Sequence, residues 1–314
     1  MLVKYNIPNV LIIGGGMIGS EIADYLQKKN YQCHLLSRSF LKKKNLKVNY
    51  IKKDFKYLLS YPDFIYKNNI SIIIHCANIT NKTKEKNREI HFFNSIIDNK
   101  KFAIRSSKFV KTYINISTSK VYGDNHNKEI KYNSNLFPSD NYSKYKLTID
   151  NNLFKINSNR MKIFTLRLPS VYSEISEDDI IKTFYKLINN NKILLFNNQV
   201  TYSMLYVKNL SKFIYLLLNI KLFMSNKIFL VTDNFDVKLK EIIDLIRHRI
   251  NKKLYNIYIP IFLLKLILTA FNKKYLINKY LISKKVNINH TLKFIKNYRP
   301  TNYKNNIKNY IFKI

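Results

Sequence analysis

The chain has 314 residues, with 55 Lys and Arg against 19 Asp and Glu, for a formal charge of +36. That length holds a core of about 200 residues plus a smaller lobe, and two cysteines are too few for a disulfide framework. Charge alone would point to nucleic acid or an anionic surface. However, Lys, Asn, Ile and Tyr are enriched together and the lysines are spread along the chain, a pattern that a drift toward A/T-rich codons explains. No specific nucleic-acid partner is therefore expected, only non-specific polyanion binding at low salt.

Val10 to Ile13 reads as a first strand, too short for a signal-peptide core, that runs into Gly14-x-Gly16-x-x-Gly19 and then a helical pattern from Glu21 to Lys29. Strand, glycine loop and helix in this order form the dinucleotide fingerprint, with the backbone of Gly14, Gly16, Met17, Ile18 and Gly19 approaching a pyrophosphate at the helix N-terminus. Four of the five glycines in the chain fall in this loop; the fifth is Gly123. A second strand, Cys33 to Ser39, ends in Ser37 and Arg38 where an acidic residue would hold the ribose of NAD. An arginine there accepts a 2'-phosphate, so NAD(P) is the expected cofactor with NADP(H) favoured over NAD. Strand three, Val48 to Lys53, leads to Asp54, a carboxylate placed for the adenine amine. Strand four, Ile70 to Asn78, is a continuous apolar run of the kind buried on both faces of a parallel sheet.

Strand five, Lys111 to Ser117, carries Thr118 at its C-terminal end, the edge where open α/β sheets bind ligands. Twenty-four residues on, Tyr142 and Lys146 are four apart and share a helix face. The Lys146 ammonium is expected to favour the Tyr142 phenolate, lowering a pKa of about 10. Thr118 is then placed to hold a substrate oxygen or relay its proton. Catalysis is thus assigned to Thr118, Tyr142 and Lys146.

With these pieces in order the chain resembles the extended short-chain dehydrogenase/reductases of the NAD-dependent epimerase/dehydratase type, the nucleotide-sugar epimerases, dehydratases and 4-ketoreductases. Ile74-His-Cys-Ala-Asn78 is similar to the family's fourth-strand motif, Ser117-Thr-Ser-Lys-Val-Tyr-Gly123 to its Ser/Thr segment, and Tyr142 to Asp150 to its active-site helix. Leu166-Arg-Leu-Pro-Ser-Val-Tyr172 is similar to its sixth-strand segment, and Tyr202 to Leu210 with Phe229 to Asp233 resembles the 4-ketoreductase and 4-epimerase branch. The resemblance implies a Rossmann-type doubly wound parallel sheet with a smaller C-terminal substrate lobe. It divides the chain into an NAD(P)-binding domain, 1–170 and 208–232, and a substrate lobe, 171–207 and 233–314. It further implies cofactor contacts from Ala77, Pro169, Tyr142 and Lys146, and contacts to a nucleotide-sugar substrate from Thr118, Ser119, Tyr142, Ser170 and Tyr202. The function implied is reduction of a 4-keto group or 4-epimerisation of a nucleotide-diphosphate sugar, in the supply of sugars for a surface polysaccharide. Helices over Asn87 to Ile104 and Tyr142 to Ile156 lie where family members pair as homodimers. The sequence departs from the family at the Gly14 to Gly16 interval, shorter by one, at Ser170 for Asn, at Ser173 for Gly, and at Tyr202, often an arginine on the substrate diphosphate.

Cys33 and Cys76 fall in core strands, which predicts a reducing, cytoplasmic setting. Six histidines without His-x-x-x-His spacing argue against a metal, and His75 reads as a buried structural residue. Ile257 to Phe271 is the most apolar stretch, shorter than the ~20 residues of a membrane span. It is expected to form a helix of the substrate lobe with Pro260 at its start, the sharper alternative being a peripheral contact with the inner membrane. Val286 to Ile314 is basic and short of strong periodicity, with Asn297 to Pro300 similar to the family's closing turn. A competing reading, motivated by the altered glycine loop and the charge, is a catalytically idle member serving as a redox-sensing or RNA-binding module. Such a module has no need of Thr118, Tyr142 and Lys146 together.

Overall fold

The structure, a computed structural model, describes residues 7–40, 47–61, 63–77, 88–123, 129–176, 179–190, 193–196, 200–220, 226–251, 255–272 and 282–313. The first half alternates strand and helix: β1 (Asn9–Ile13), α1 (Met17–Lys28), β2 (Gln32–Leu36), β3 (Asn49–Ile51), α2 (Lys56–Ser60), α3 (Phe64–Lys67), β4 (Ile70–His75), α4 (Arg88–Ser106), β5 (Thr112–Thr118), α5 (Asn141–Phe154) and β6 (Lys162–Leu168). There follow β7 (Ser170–Tyr172), α6 (Ile180–Asn190), β8 (Ile193–Phe196), β9 (Thr201–Tyr206), α7 (Val207–Leu218), β10 (Lys227–Leu230), β11 (Asp236–Lys238), α8 (Leu239–Ile250), β12 (Tyr255–Tyr258), α9 (Ile261–Ala270), α10 (Asn289–Phe294) and α11 (Tyr303–Lys313).

Seven strands form the expected parallel sheet in the order β10-β6-β5-β4-β1-β2-β3. Side chains alternate between its faces with period two. Val10 and Ile12, Cys33 and Leu35, and Ile72 and Ile74 pack into one apolar cluster with α1 and α7 residues. Leu11 and Ile13, Leu36 and Ile73 pack into a second, with residues of α2 to α5. Because both faces are covered by helices, the strands read as unbroken apolar runs. On α1, Gly19, Ile22, Ala23 and Leu26 are the buried positions, spaced i, i+3, i+4 and i+7 as a single apolar stripe.

A smaller unit is built around the three-stranded sheet β11-β9-β7, with α6, α8 and α11 contributing Ile181, Phe184, Ile242, Ile246, Ile307 and Tyr310 to its core. The two units are tied by a buried carboxylate. Asp233 accepts from Tyr172 Oη at 3.0 Å, Tyr206 N at 3.0 Å and Asn209 Nδ2 at 2.7 Å, and Asn209 Oδ1 accepts from Thr301 N at 3.0 Å. Val286, Ile288, Ile295 and Tyr298, late in the chain, pack with the core of the large sheet.

Several boundaries differ from the sequence reading. Helix α1 starts four residues earlier than Glu21, directly at the glycine loop, with Gly16 as its extended N-cap. Strand four stops at His75, and Asn78 and Asn87 lie outside the described residues. The C-terminal segment is more regular than its weak periodicity suggests: α11 seats Ile307, Tyr310 and Ile311, at i, i+3 and i+4, against the smaller unit. Pro260 does stand at the start of α9, but the residues before it form β12, paired in parallel with β8.

Candidate active site

The order of strands reverses direction around β1, which lies between β2 and β4, so the helices following β1 and β4 diverge and leave a crevice at their carboxyl ends. A cleft of about 560 Å³ fills it. Residues 13–19 of the glycine loop, Ser37 and Arg38 at the end of β2, residues 53–56, and residues 75–77 after β4 line it. Its remaining wall is α4, through His91, Asn94, Ser95, Asp98 and Asn99.

The loop is fixed by its backbone. Gly14 has φ 106° and donates its N–H to Leu36 O at 2.8 Å, while Ala77 N donates to Ile13 O at 2.7 Å. A Cβ on Gly14 would lie 2.6 Å from Ala77 N, and one on Gly19 would lie 1.9 Å from Gly14 O, so both positions are closed to any side chain. Over Gly16 the space is open, with nothing within 4 Å of a built Cβ. The first turn of α1 carries no acidic residue, so its N-terminal amides and dipole favour an anion there. These features fit a dinucleotide pyrophosphate despite the shortened glycine interval. Arg38 is exposed at the rim, near the other lining cations Lys53 and Lys56. Asp54 Oδ1 is engaged by Lys56 N at 2.6 Å, which starts α2.

Helix α5 is set by a capping box: Ser143 N donates to Asp140 Oδ1 at 2.6 Å and Asp140 N donates to Ser143 Oγ at 3.1 Å. This start places Tyr142 in the first turn, Lys146 one turn later and Asp150 one turn after that, on a single face. Lys146 is 1 % exposed, and its Nζ donates to Ile116 O of β5 at 2.5 Å. Burial pushes this amine down to about 8, opposed by the charge of Asp150 and then by Cys76. Asp150 in turn accepts from Asn115 Nδ2 at 3.0 Å, Ser117 Oγ at 3.0 Å and Arg167 Nε at 3.1 Å, and Arg167 Nη1 donates to Tyr122 Oη at 2.9 Å.

The expected acidified phenol is corrected by this geometry. Burial first, then Tyr145, Asp140 and Asp150, hold Tyr142 well above the ordinary tyrosine value. The Lys146 ammonium is turned to the β5 carbonyl, and the cation over the Tyr142 ring is Lys120, 6.0 Å from its centroid. Thr118 ends β5 with its Oγ1 accepting from Lys120 N at 3.3 Å, and Ser119 opens the short 3-10 turn that follows.

The dinucleotide cleft and the Tyr142 face meet at residues 75–77. Ala77 and Tyr142 belong to one apolar cluster, and the charge of Lys146 acts on both His75 and Cys76. His75 is buried with Nδ1 hydrogen-bonded to Tyr113 Oη at 2.7 Å, a structural place for it. Burial pushes the thiols of Cys33 and Cys76 up to about 12.

Thr118, Tyr142 and Lys146 are thus brought together at one sheet edge, with Pro169 half-buried and Ser170 exposed at the neighbouring end of β6. Tyr202 is not with them. It is 2 % exposed within the core of the smaller unit, because every residue of β9 is buried, and so it offers almost no surface to a substrate. Sequence reasoning missed Gly15, whose position packs on Ser37, and the polar face of α4. It also missed Asp150, whose spacing of four from Lys146 on the same helix was a usable signal.

Comparison with known proteins agrees with the fold. Residues 10–231 match the profile of the NAD dependent epimerase/dehydratase family. No curated protein matches the sequence. Among solved structures, the enzyme WbmG of Bordetella bronchiseptica in complex with NAD superposes with a TM-score of 0.77 at 14 % identity, covering 100 % of this chain and 96 % of its own. UDP-glucuronic acid 4-epimerase from Bacillus cereus, in complex with NAD, gives 0.74 at 15 % identity over 97 % and 98 %. UDP-glucose 4-epimerase from Thermotoga maritima, with UDP-glucose, gives 0.74 at 14 % over 96 % and 97 %.

Proposed function

Because the chain belongs to the NAD dependent epimerase/dehydratase family, we propose that it acts at C4 of a nucleotide-diphosphate sugar, reducing a 4-keto group or epimerising a 4-hydroxyl. The observation that supports this reading is that Tyr142 and Lys146 lie on one face of α5, with Lys146 Nζ donating to Ile116 O of β5, the strand that ends at Thr118. Sugar supply for a surface polysaccharide is the proposed setting, in the cytoplasm, with residues 171–207 and 233–314 holding the substrate.

When bound, the nicotinamide supplies a hydride to the 4-keto carbon or takes one from the 4-hydroxyl carbon. The chain manages the proton. Tyr142, held protonated by burial, gives its phenolic proton to the alkoxide oxygen formed at C4, and Thr118 holds that oxygen in line. Lys146, fixed on Ile116 O, is the cation that would hold the ribose of a bound nicotinamide nucleotide. An epimerase uses the same groups twice, first as base and then as acid. Arg38, Lys53 and Lys56 at the cleft rim support NADPH, and with it the reductive direction.

We also propose a homodimer through α4 and α5, supported by the exposed Ile90, Phe93 and Ile104 on α4 and Phe154 on α5. Light scattering of the purified protein tests it, and a monomer at micromolar concentration removes it.

The catalytic reading is tested by mass spectrometry of the ligand that co-purifies, followed by turnover of a panel of UDP- and dTDP-4-keto sugars with NADPH and NADH. Oxidation of NADPH by one 4-keto sugar is the expected result. Stoichiometric NAD with interconversion of UDP-hexoses, no cofactor added, replaces the reductase by an epimerase; no turnover in either assay sinks action at C4.

A further inference from the structure

We propose that α9 docks this protein on an anionic phospholipid surface. The helix leaves Phe262 60 % and Leu266 63 % exposed, together with exposed Leu263, Ile267 and, just past its end, Phe271. Inward, among the described residues, Leu264 and the half-buried Leu268, four residues apart, pack with Ile259 as a small cluster of their own, separate from the cores of both units. The outward positions 262, 263, 266 and 267 stand at i, i+1, i+4 and i+5, so they form one continuous flank. A soluble surface scatters its exposed apolar residues singly, and a flank of this kind marks an interaction site.

The chemistry of the occupant follows from charge. Every Asp and Glu of the chain lies at or before Asp244, whereas sixteen Lys and Arg follow it. Lys265 stands on α9 itself, and Lys252, Lys253, Lys273 and Lys274, outside the described residues, flank it in sequence. A uniform drift in composition enriches lysine everywhere but does not clear acids from one end of a chain. An apolar flank on a helix that carries Lys265, in a stretch of sequence with no acid after Asp244, complements a bilayer with anionic headgroups, the apolar side chains entering the acyl boundary while Lys265 stays at headgroup level. Among the described residues no helix is long and apolar enough to cross a membrane, so α9 lies along the surface. This inference stands apart from the assignment of the reaction.

The test is sedimentation of the full chain with vesicles of phosphatidylglycerol and phosphatidylcholine in equal parts, against vesicles of phosphatidylcholine alone, at low and high salt. Wild type is expected to bind the anionic vesicles and to retain part of that binding at high salt. The variant Phe262→Ser with Leu266→Ser, both positions exposed and away from the cleft, should keep its fold by circular dichroism. It should lose about a hundredfold in vesicle affinity. Three results overturn the proposal: no binding of wild type to anionic vesicles, equal binding of the double variant, or conversion by that variant of a dimer to a monomer in light scattering. The last outcome would assign the flank to a second copy.

Discussion

Arg167 donates through Nε to Asp150 Oδ2 at 3.1 Å, both side chains almost wholly buried, with Asp150 one helical turn after Lys146 on α5. The pair is completed by Ser117 and Asn115, so the carboxylate is fixed by hydrogen bonds rather than solvent; burial raises its pKa, and Arg167, Ser117 and Lys146 oppose that rise. Its charge is also the first influence holding the Lys146 amine up against burial.

Replacing Asp150 by Asn keeps the shape and removes the charge. Lys146, already pushed down to about 8, should then lose its proton at lower pH. The alkaline limb of kcat/KM is expected to move to lower pH in the variant, while at neutral pH the Michaelis constant for the cofactor changes little. Arg167 is left buried without its counter-ion, so stability should fall by about 3 kcal/mol, read by urea unfolding. A stability loss with an unmoved pH limb would make Asp150 structural only.

Tyr142→Phe removes the proton donor and little else. Turnover should fall by about a thousandfold, while cofactor affinity, measured by fluorescence titration, stays within a factor of a few. If cells carrying this variant keep the wild-type phenotype, a catalytically idle redox-sensing or RNA-binding module becomes the better reading.

How far the sequence led can be seen in α5 and β9. The register of Tyr142 and Lys146 is a local property, legible because helix periodicity and the Asp140 cap act within a few residues. The direction of the Lys146 amine was not legible, since it depends on a carbonyl thirty residues earlier that only the β5 pairing brings near. Tyr202 failed for a similar reason: its pattern suited a substrate contact, but burial of β9 on both sides is a property of the packed unit. The parallel sheet itself was readable because unbroken apolar runs between helices admit few other arrangements. The α4 wall of the cleft was not, because its polar residues carry no periodic signature apart from an ordinary solvated helix face.

The glycine loop makes a paired prediction. Gly19→Ala places a Cβ 1.9 Å from the Gly14 carbonyl oxygen, so the loop must shift and both folding and cofactor binding suffer. Gly16→Ala meets nothing within 4 Å and has an ordinary φ of −72°, so the protein folds normally. Its new methyl stands where the pyrophosphate is expected, and cofactor Kd should rise by about tenfold or more. Equal affinity of Gly16→Ala and wild type, by calorimetry, would move the phosphates away from this turn.

Arg38→Ala tests the choice of cofactor. The exposed guanidinium is expected to weaken NADPH by about tenfold to a hundredfold when removed, through loss of a charge-assisted contact to the 2'-phosphate, and to leave NADH nearly unchanged. A parallel loss for both forms would assign Arg38 to the adenine or pyrophosphate instead.

His75 couples the site to acid stability. Burial first, and then the charge of Lys146, pushes its imidazole from 6.5 down to about 3 while it is hydrogen-bonded to Tyr113. The unfolded chain binds this proton below about 6.5 and the native chain does not until about 3. The stability involved is therefore intact above the unfolded value and is lost as pH falls through the window, by up to about 1.4 kcal/mol per pH unit. His75→Asn keeps a partner for Tyr113 and cannot titrate, so its unfolding free energy should fall less steeply than that of wild type between about pH 6 and about pH 4, the two slopes differing by up to one proton. Urea unfolding at a series of pH values reads the difference, and identical slopes would mean that the native imidazole accepts its proton as readily as the unfolded one.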